Sequence, residues 1–230
     1  MNYFRELIDQ RNDYYETTKR FASQYGWEKS DGRIGVFAKC MNNFEPVLFS
    51  LDFAKKDLHS KEYHARFSKD GKTPPPDNEI ENMHDCYQVY IQYSFAVLFF
   101  SAIESSFRIF VRAIDPVACE NGTAEFQSIY KWLLKKTQQQ KYDDLLELWR
   151  LIRNCQHNNG TYFSVKDPHK VIFYEGENYE FKHGEVVTFV DMDLLLSLTK
   201  DVKKMLDDVI QSEPLVSISR ITDPVYHLRS

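Results

Sequence analysis

Residues 86–103 read CYQVYIQYSFAVLFFSAI, eighteen consecutive positions without a charged side chain. A bilayer-spanning helix needs about 20 predominantly apolar residues. This run instead carries Gln88, Gln92, Ser94, Ser101 and three tyrosines, and Glu104 follows at once. The pattern predicts a central helix from Glu79 to Ile114, buried by neighbours on most sides, and no membrane span. Composition supports that reading. Gly and Pro together make up 16 of 230 residues, about 7% against a usual ~12%, which favours long helices and few turns. Thirty-four aromatic residues supply large burial area and exclude intrinsic disorder.

Working outward, SKDGKTPPPDN at 68–78 contains three consecutive prolines and reads as an exposed linker. Before it, Phe4, Leu7, Ile8, Tyr14, Tyr15, Phe21, Ala22 and Tyr25 form the stripe of an amphipathic helix over 1–25. A second helical stretch is predicted over 34–67, kinked or split at Pro46. After the central helix come helices over 124–136 and 141–157, the latter stopped by Asn158-Asn159-Gly160. The period then changes. Thr161–Val165, Val171–Tyr174, Tyr179–Lys182 and Val186–Val190 are β-rich runs that predict a small antiparallel β-meander near 161–190. Helix resumes over 192–210, and the remainder reads as an irregular tail. The expected fold class is therefore mainly α, a helical bundle with a β insertion. Its organisation is an N-terminal helical extension (1–70), a main domain (79–212) and a tail (213–230).

Acidic residues outnumber basic ones, 34 against 29. That balance excludes a surface attracting nucleic acid everywhere, though not a local basic patch. Residues 130–157 hold such a strip: Lys131, Lys135, Lys136, Lys141, Arg150 and Arg153 against Asp143, Asp144 and Glu147. The four cysteines form no CxxC pair, and Met1–Gln10 carries charges unlike a secretory signal. Reduced, mostly buried thiols fit a cytoplasmic location. The seven histidines show neither HExxH nor zinc spacing with cysteine, so no metal site or cofactor is expected.

At 100° per residue, Leu145, Leu148, Trp149 and Ile152 fall on the core face of the 141–157 helix. Arg150, Arg153, Asn154 and His157 gather on another face, at offsets 0, 3, 4 and 7. Such residues near a helix C-terminus are also favoured by the macrodipole, and Asn154 and Asn158 equally serve as helix-end caps. On the central helix, Glu104 shares a face with Val97, Phe100, Phe107 and Val111. A buried carboxylate requires a partner, with Arg108 nearest in sequence and Arg153 the alternative from the neighbouring helix.

The string RLIRNCQHNNGTYF at 150–163, preceded by a long helix ending IESSFR, resembles the HEPN superfamily over roughly residues 79–212. HEPN proteins are all-α, usually dimerise, and many are metal-independent ribonucleases of toxin–antitoxin, abortive-infection and CRISPR systems. Their motif is an Arg, commonly followed by a polar residue, with four to six residues between it and a His. Arg153-Asn154 has the dipeptide but only three intervening residues before His157. Arg150 has six, yet is followed by Leu151.

The resemblance implies an endoribonuclease working as a homodimer on RNA, with His157, Arg153 and Arg150 catalytic. His157 would move a proton at the ribose 2′-hydroxyl or the departing 5′-oxygen, since imidazole ordinarily titrates near pH 6.5. The arginines would hold the scissile phosphate, Asn154 and Asn158 would orient it, and Glu104 would fix an arginine rotamer. Attack by the 2′-hydroxyl needs no metal and leaves a 2′,3′-cyclic phosphate. An antitoxin or other regulatory protein is a further implied partner. The alternative is a non-catalytic helical dimer that binds a nucleotide or a protein. A hydrolase using Cys155 or Cys86 has less behind it, because Cys155 lies roughly 160° around the helix from His157.

Overall fold

A computed structural model describes residues 3–224 of the chain. Predicted features at Met1 and in the last part of the tail, His227 included, lie outside the described residues. Helix α1 (Tyr3–Tyr25) buries Leu7, Tyr14, Thr17 and Phe21, while Tyr15, placed on the same stripe by sequence, is exposed. Helix α2 (Gly32–Met41) is capped by Asp31, whose carboxylate accepts from the Arg33 amide at 3.0 Å. Helix α3 (Phe44–Lys56) begins after Asn42-Asn43. The chain therefore breaks before Pro46, not at it. Proline sits in the first turn of α3, where its missing N–H has no helical partner to lose. A short α4 (Lys61–Ala65), capped by Ser60, precedes the proline linker.

Helix α5 (Asp77–Ile114) is the long central helix. It is apolar enough to cross a membrane by length and composition, but 56% of its apolar window is buried among neighbours. Those neighbours come from both ends of the chain. Trp149 stacks on Phe99 at 5.2 Å and donates its indole N–H to the Ala96 carbonyl at 3.2 Å. Phe44 lies 5.5 Å from Phe95 and 5.8 Å from Phe99. Tyr14 meets Phe99 edge-on at 6.0 Å and donates its hydroxyl to the Thr199 carbonyl at 2.7 Å. Aromatic pairs at these distances each add about 0.5–1.5 kcal/mol beyond their burial. One hydrophobic cluster runs from Leu7 to Ile221. Side chains of α1, α2 and α3 thus share this cluster with the later helices.

Beyond α5, the single turn α6 (Cys119–Gly122) has left-handed φ at each of its four residues. Helix α7 (Phe126–Lys136) and helix α8 (Asp143–Gln156), joined by a short 3₁₀ turn at 140–142, lie against α5. Strands β1 (His169–Tyr174) and β2 (Glu177–Lys182) pair antiparallel, His169 opposite Lys182 and Tyr174 opposite Glu177. Their tight turn uses Glu175 and Gly176, both at positive φ. Ile172, Tyr174 and Phe181 face inward; Val171 and Phe173 face solvent. The predicted four-run meander thus reduces to a hairpin. Thr161 and Val186 share only an isolated bridge, because their stretches lack a continuous partner.

Helix α9 (Met192–Ile210) and the one-turn α10 (Glu213–Val216) complete the order. The segment after α9, irregular beyond α10, is tied to α2 as far as residue 223. The fully buried Arg33 pairs with Asp31 at 2.7 Å and donates to the carbonyls of Leu215 (2.7 Å) and Ile218 (2.8 Å). Lys39 pairs with Asp223 at 2.7 Å.

Candidate functional site

The polar face of α8 borders a cleft of about 250 Å³, lined also by Gln127 of α7, the loop after α8 and Lys170 of β1. Helix α8 ends where the sequence predicts: Asn159 and Gly160 both take positive φ, and the Gly160 amide reaches back to the Cys155 carbonyl at 2.9 Å. A Cβ on Gly160 would come within 2.9 Å of the Tyr93 hydroxyl of α5, which fixes where the loop leaves the helix.

The centre of the cleft is a residue that sequence reading counted only as a charge. Glu147 is 7% exposed. It accepts Arg150 Nε and Nη2 side by side at 2.8 Å each, and the Tyr130 hydroxyl at 2.7 Å. Gln127 donates from 3.3 Å, and Lys170 Nζ stands 3.9 Å away. Burial pushes the Glu147 carboxyl up. The bonds from Arg150 and Tyr130, with the charges of Arg150 and Lys170, outweigh it and hold the carboxyl below the usual carboxylate range. Burial and the facing carboxylate together push the Tyr130 hydroxyl far up, so it stays a donor.

The structure divides the predicted site residues. Arg150, Asn154 and Asn158 line the cleft. Asn158 also donates to the Asn154 carbonyl at 3.1 Å, and so does serve as a helix-end cap. Arg153 and His157 are not among the lining residues. Arg153 leans the other way, its guanidinium 5.9 Å from the Phe100 ring centroid. It donates Nη1 to Asn154 Oδ1 at 3.2 Å, while its Nε is buried without a partner among the described residues. His157 is the C-cap of α8, exposed, with its imidazole engaged by no described side chain. Two guanidiniums and an imidazole therefore do not converge within one chain.

Glu104 does not reach Arg153. It pairs with Arg108 one turn on at 2.6 Å, and Arg108 donates to the Gly122 and Ala124 carbonyls at 2.8 Å each. The pair holds the left-handed turn of α6 and lies away from the cleft. Cys155 is buried and its thiol is pushed up to about 11 by that burial, while Cys86 sits exposed on α5. Neither has the activated surroundings of a nucleophile. Among the described residues no three His, Cys, Asp or Glu side chains group closely enough to hold a metal ion.

The cleft can hold an anion by a fixed guanidinium, two amides and two lysines, Lys166 and Lys170. The three-residue spacing of Glu147 and Arg150 on one helix was a readable signal for their pairing; Tyr130 and Lys170 come from distant elements and carried none. Comparison with protein-family models, with curated proteins and with solved structures gives no match for this chain.

Proposed function

We propose that the protein is a metal-independent endoribonuclease of the HEPN kind, acting on RNA as a cytoplasmic homodimer in a toxin or phage-defence setting. The observation that carries the reading is the pinned Arg150 guanidinium in an open cleft beside Asn154 and Asn158, with an exposed, unengaged His157 at the end of the same helix. One imidazole cannot readily be both acid and base. In a two-fold dimer, His157 of one chain faces the cleft of the other, and each composite site gains the proton carrier its own cleft lacks. The 2′-hydroxyl attacks phosphorus, the 5′-oxygen leaves with a proton, and a 2′,3′-cyclic phosphate remains. Arg150 steadies the phosphate oxygens.

The test is incubation of purified protein with RNA in EDTA across several pH values. Cleavage that stops in His157→Ala, and with a 2′-deoxy nucleotide at the cut site, is the expected result. Intact RNA throughout, or unchanged cleavage in His157→Ala, refutes it.

A second reading rests on a specific observation: the charge of Arg150 is already matched by Glu147. That favours a non-catalytic dimer binding a nucleotide or a protein partner. Absence of salt-dependent RNA binding in a protein that is still dimeric selects this reading.

A further inference from the structure

A second cavity, of about 540 Å³ and sharing no lining residue with the α8 cleft, lies between the start of α1, the end of α3 and α5. That volume falls within the range of roughly 300–1,000 Å³ usual for small-molecule sites. Its walls are Tyr3, Phe4, Leu51 and Ala54, and its polar groups include Arg5, Lys55, His59 and His84. Phe4, one of these walls, is 43% exposed.

The charges are unbalanced. Asp52, the carboxylate in the wall, is already taken by Lys56 at 2.7 Å. The Tyr3 hydroxyl donates to Asp193 at 3.2 Å. Arg5 and Lys55 form no ion pair with any described residue. Two imidazoles, His59 and His84, line the same cavity, with ring centroids 4.2 Å apart and planes 35° from parallel. Asp85 Oδ1 lies 3.8 Å from His84 Nδ1, and Gln88 Nε2 lies 3.2 Å from His84 Nε2. One guanidinium, one ammonium and two tilted imidazoles thus line a space that also has two aromatic and two aliphatic walls. A flat ring fits the aromatic walls, and an anionic head answers the unpaired cations.

We propose that this cavity binds an aromatic organic anion, the chemistry shared by a mononucleotide and an aryl carboxylate. The site is separate from the α8 cleft and independent of the activity assigned there.

Titration calorimetry with adenosine 5′-monophosphate and with 2-naphthoate tests it, with adenosine and 2-naphthol as neutral counterparts. At least one anion should saturate one site per chain, and its neutral counterpart should bind at least tenfold more weakly. Which anion saturates distinguishes the two sources. The double variant Arg5→Ala/Lys55→Ala changes exposed side chains, which leave folding almost untouched, and should weaken binding at least tenfold. Leu51→Trp fills the space and should abolish it. Lys170→Ala, in the other cleft, should change nothing. Failure of both anions to saturate, equal binding of the neutral counterpart, full affinity in the double variant, or loss in Lys170→Ala each overturns the proposal.

Discussion

Separating Glu147 from Arg150 should be costly in an asymmetric and strongly coupled way. Their side chains are 9% and 21% exposed, and two 2.8 Å bonds join them. Removing one partner of a fully buried pair costs about 3–5 kcal/mol, because the survivor is left charged and dry. In Arg150→Met the survivor is Glu147, the drier of the two, still bonded to Tyr130; a loss of about 3 kcal/mol is expected. In Glu147→Gln the survivor is Arg150, which can turn partly to water, and the loss should be about 2 kcal/mol. The double variant leaves neither charge stranded. Its cost should fall short of the summed single costs by about 1–3 kcal/mol. For a chain of this length 1 kcal/mol moves Tm by roughly 2–4 °C, so Arg150→Met should melt about 6–12 °C lower. Because the pairing holds the Glu147 carboxyl below its ordinary value, its stabilisation is present above the unfolded carboxyl pKa of about 4.3. It is lost as pH falls through the lower folded-state value. The gap between wild type and Arg150→Met should therefore close in acid. Urea titrations of the four proteins at neutral and acid pH decide the matter. Additive single costs, or a gap that widens in acid, would refute the reasoning.

Arg33→Ala strands a buried Asp31 and frees the carbonyls of Leu215 and Ile218; a loss of about 3–5 kcal/mol is expected, with faster amide exchange over 215–223. Gly160→Ala forces a side chain onto φ +81° and against the Tyr93 hydroxyl, which should cost about 1–3 kcal/mol in chemical denaturation. Ellman's reagent should label exposed Cys86 first and half-buried Cys119 more slowly, while buried Cys40 and Cys155 react only on unfolding. With Arg150 matched by Glu147 and Lys170 paired with Asp167 at 3.4 Å, the α8 cleft offers single-stranded RNA only Lys166 without a carboxylate against it. A log–log salt slope no steeper than about −0.7 per site is expected, and a much steeper slope would bring the lysines of α7 into the binding surface.

The sequence made some elements plain and hid others for identifiable reasons. Helix α5 was legible because eighteen uncharged positions without Gly or Pro leave few alternatives to one long helix, although Val89, Tyr90 and Leu98 on it are exposed. The end of α8 was legible because Asn159 and Gly160 are the residue types that take positive φ readily. The break at 42–43 was not, because Pro46 drew the eye while the first turn of a helix tolerates proline. Two of four β-rich runs failed to become strands, since β propensity states only that a segment fits a pleated surface and not that a partner lies alongside. At the site, the helical wheel placed backbones correctly but could not say where long side chains end. Arg150 and Arg153 leave the same face of α8 and part, one to Glu147 and the other towards Phe100.

That parting decides which arginine suits a phosphate. Arg150 is fixed through Nε and Nη2, which leaves Nη1 without a described partner and little side-chain freedom to lose on binding. The same bonds cancel its charge, so it attracts an anion weakly from a distance but orients one well at contact. Arg153 has the opposite balance: its charge has no carboxylate against it, yet one of its donors is buried and unmet. A site that must both attract and orient would therefore gain from a second chain, whose exposed His157 would bring an imidazole to an arginine already held in place. Under that proposed arrangement the three-residue gap between Arg153 and His157 would impose no limit, because the pair would be Arg150 of one protomer with the imidazole of the other.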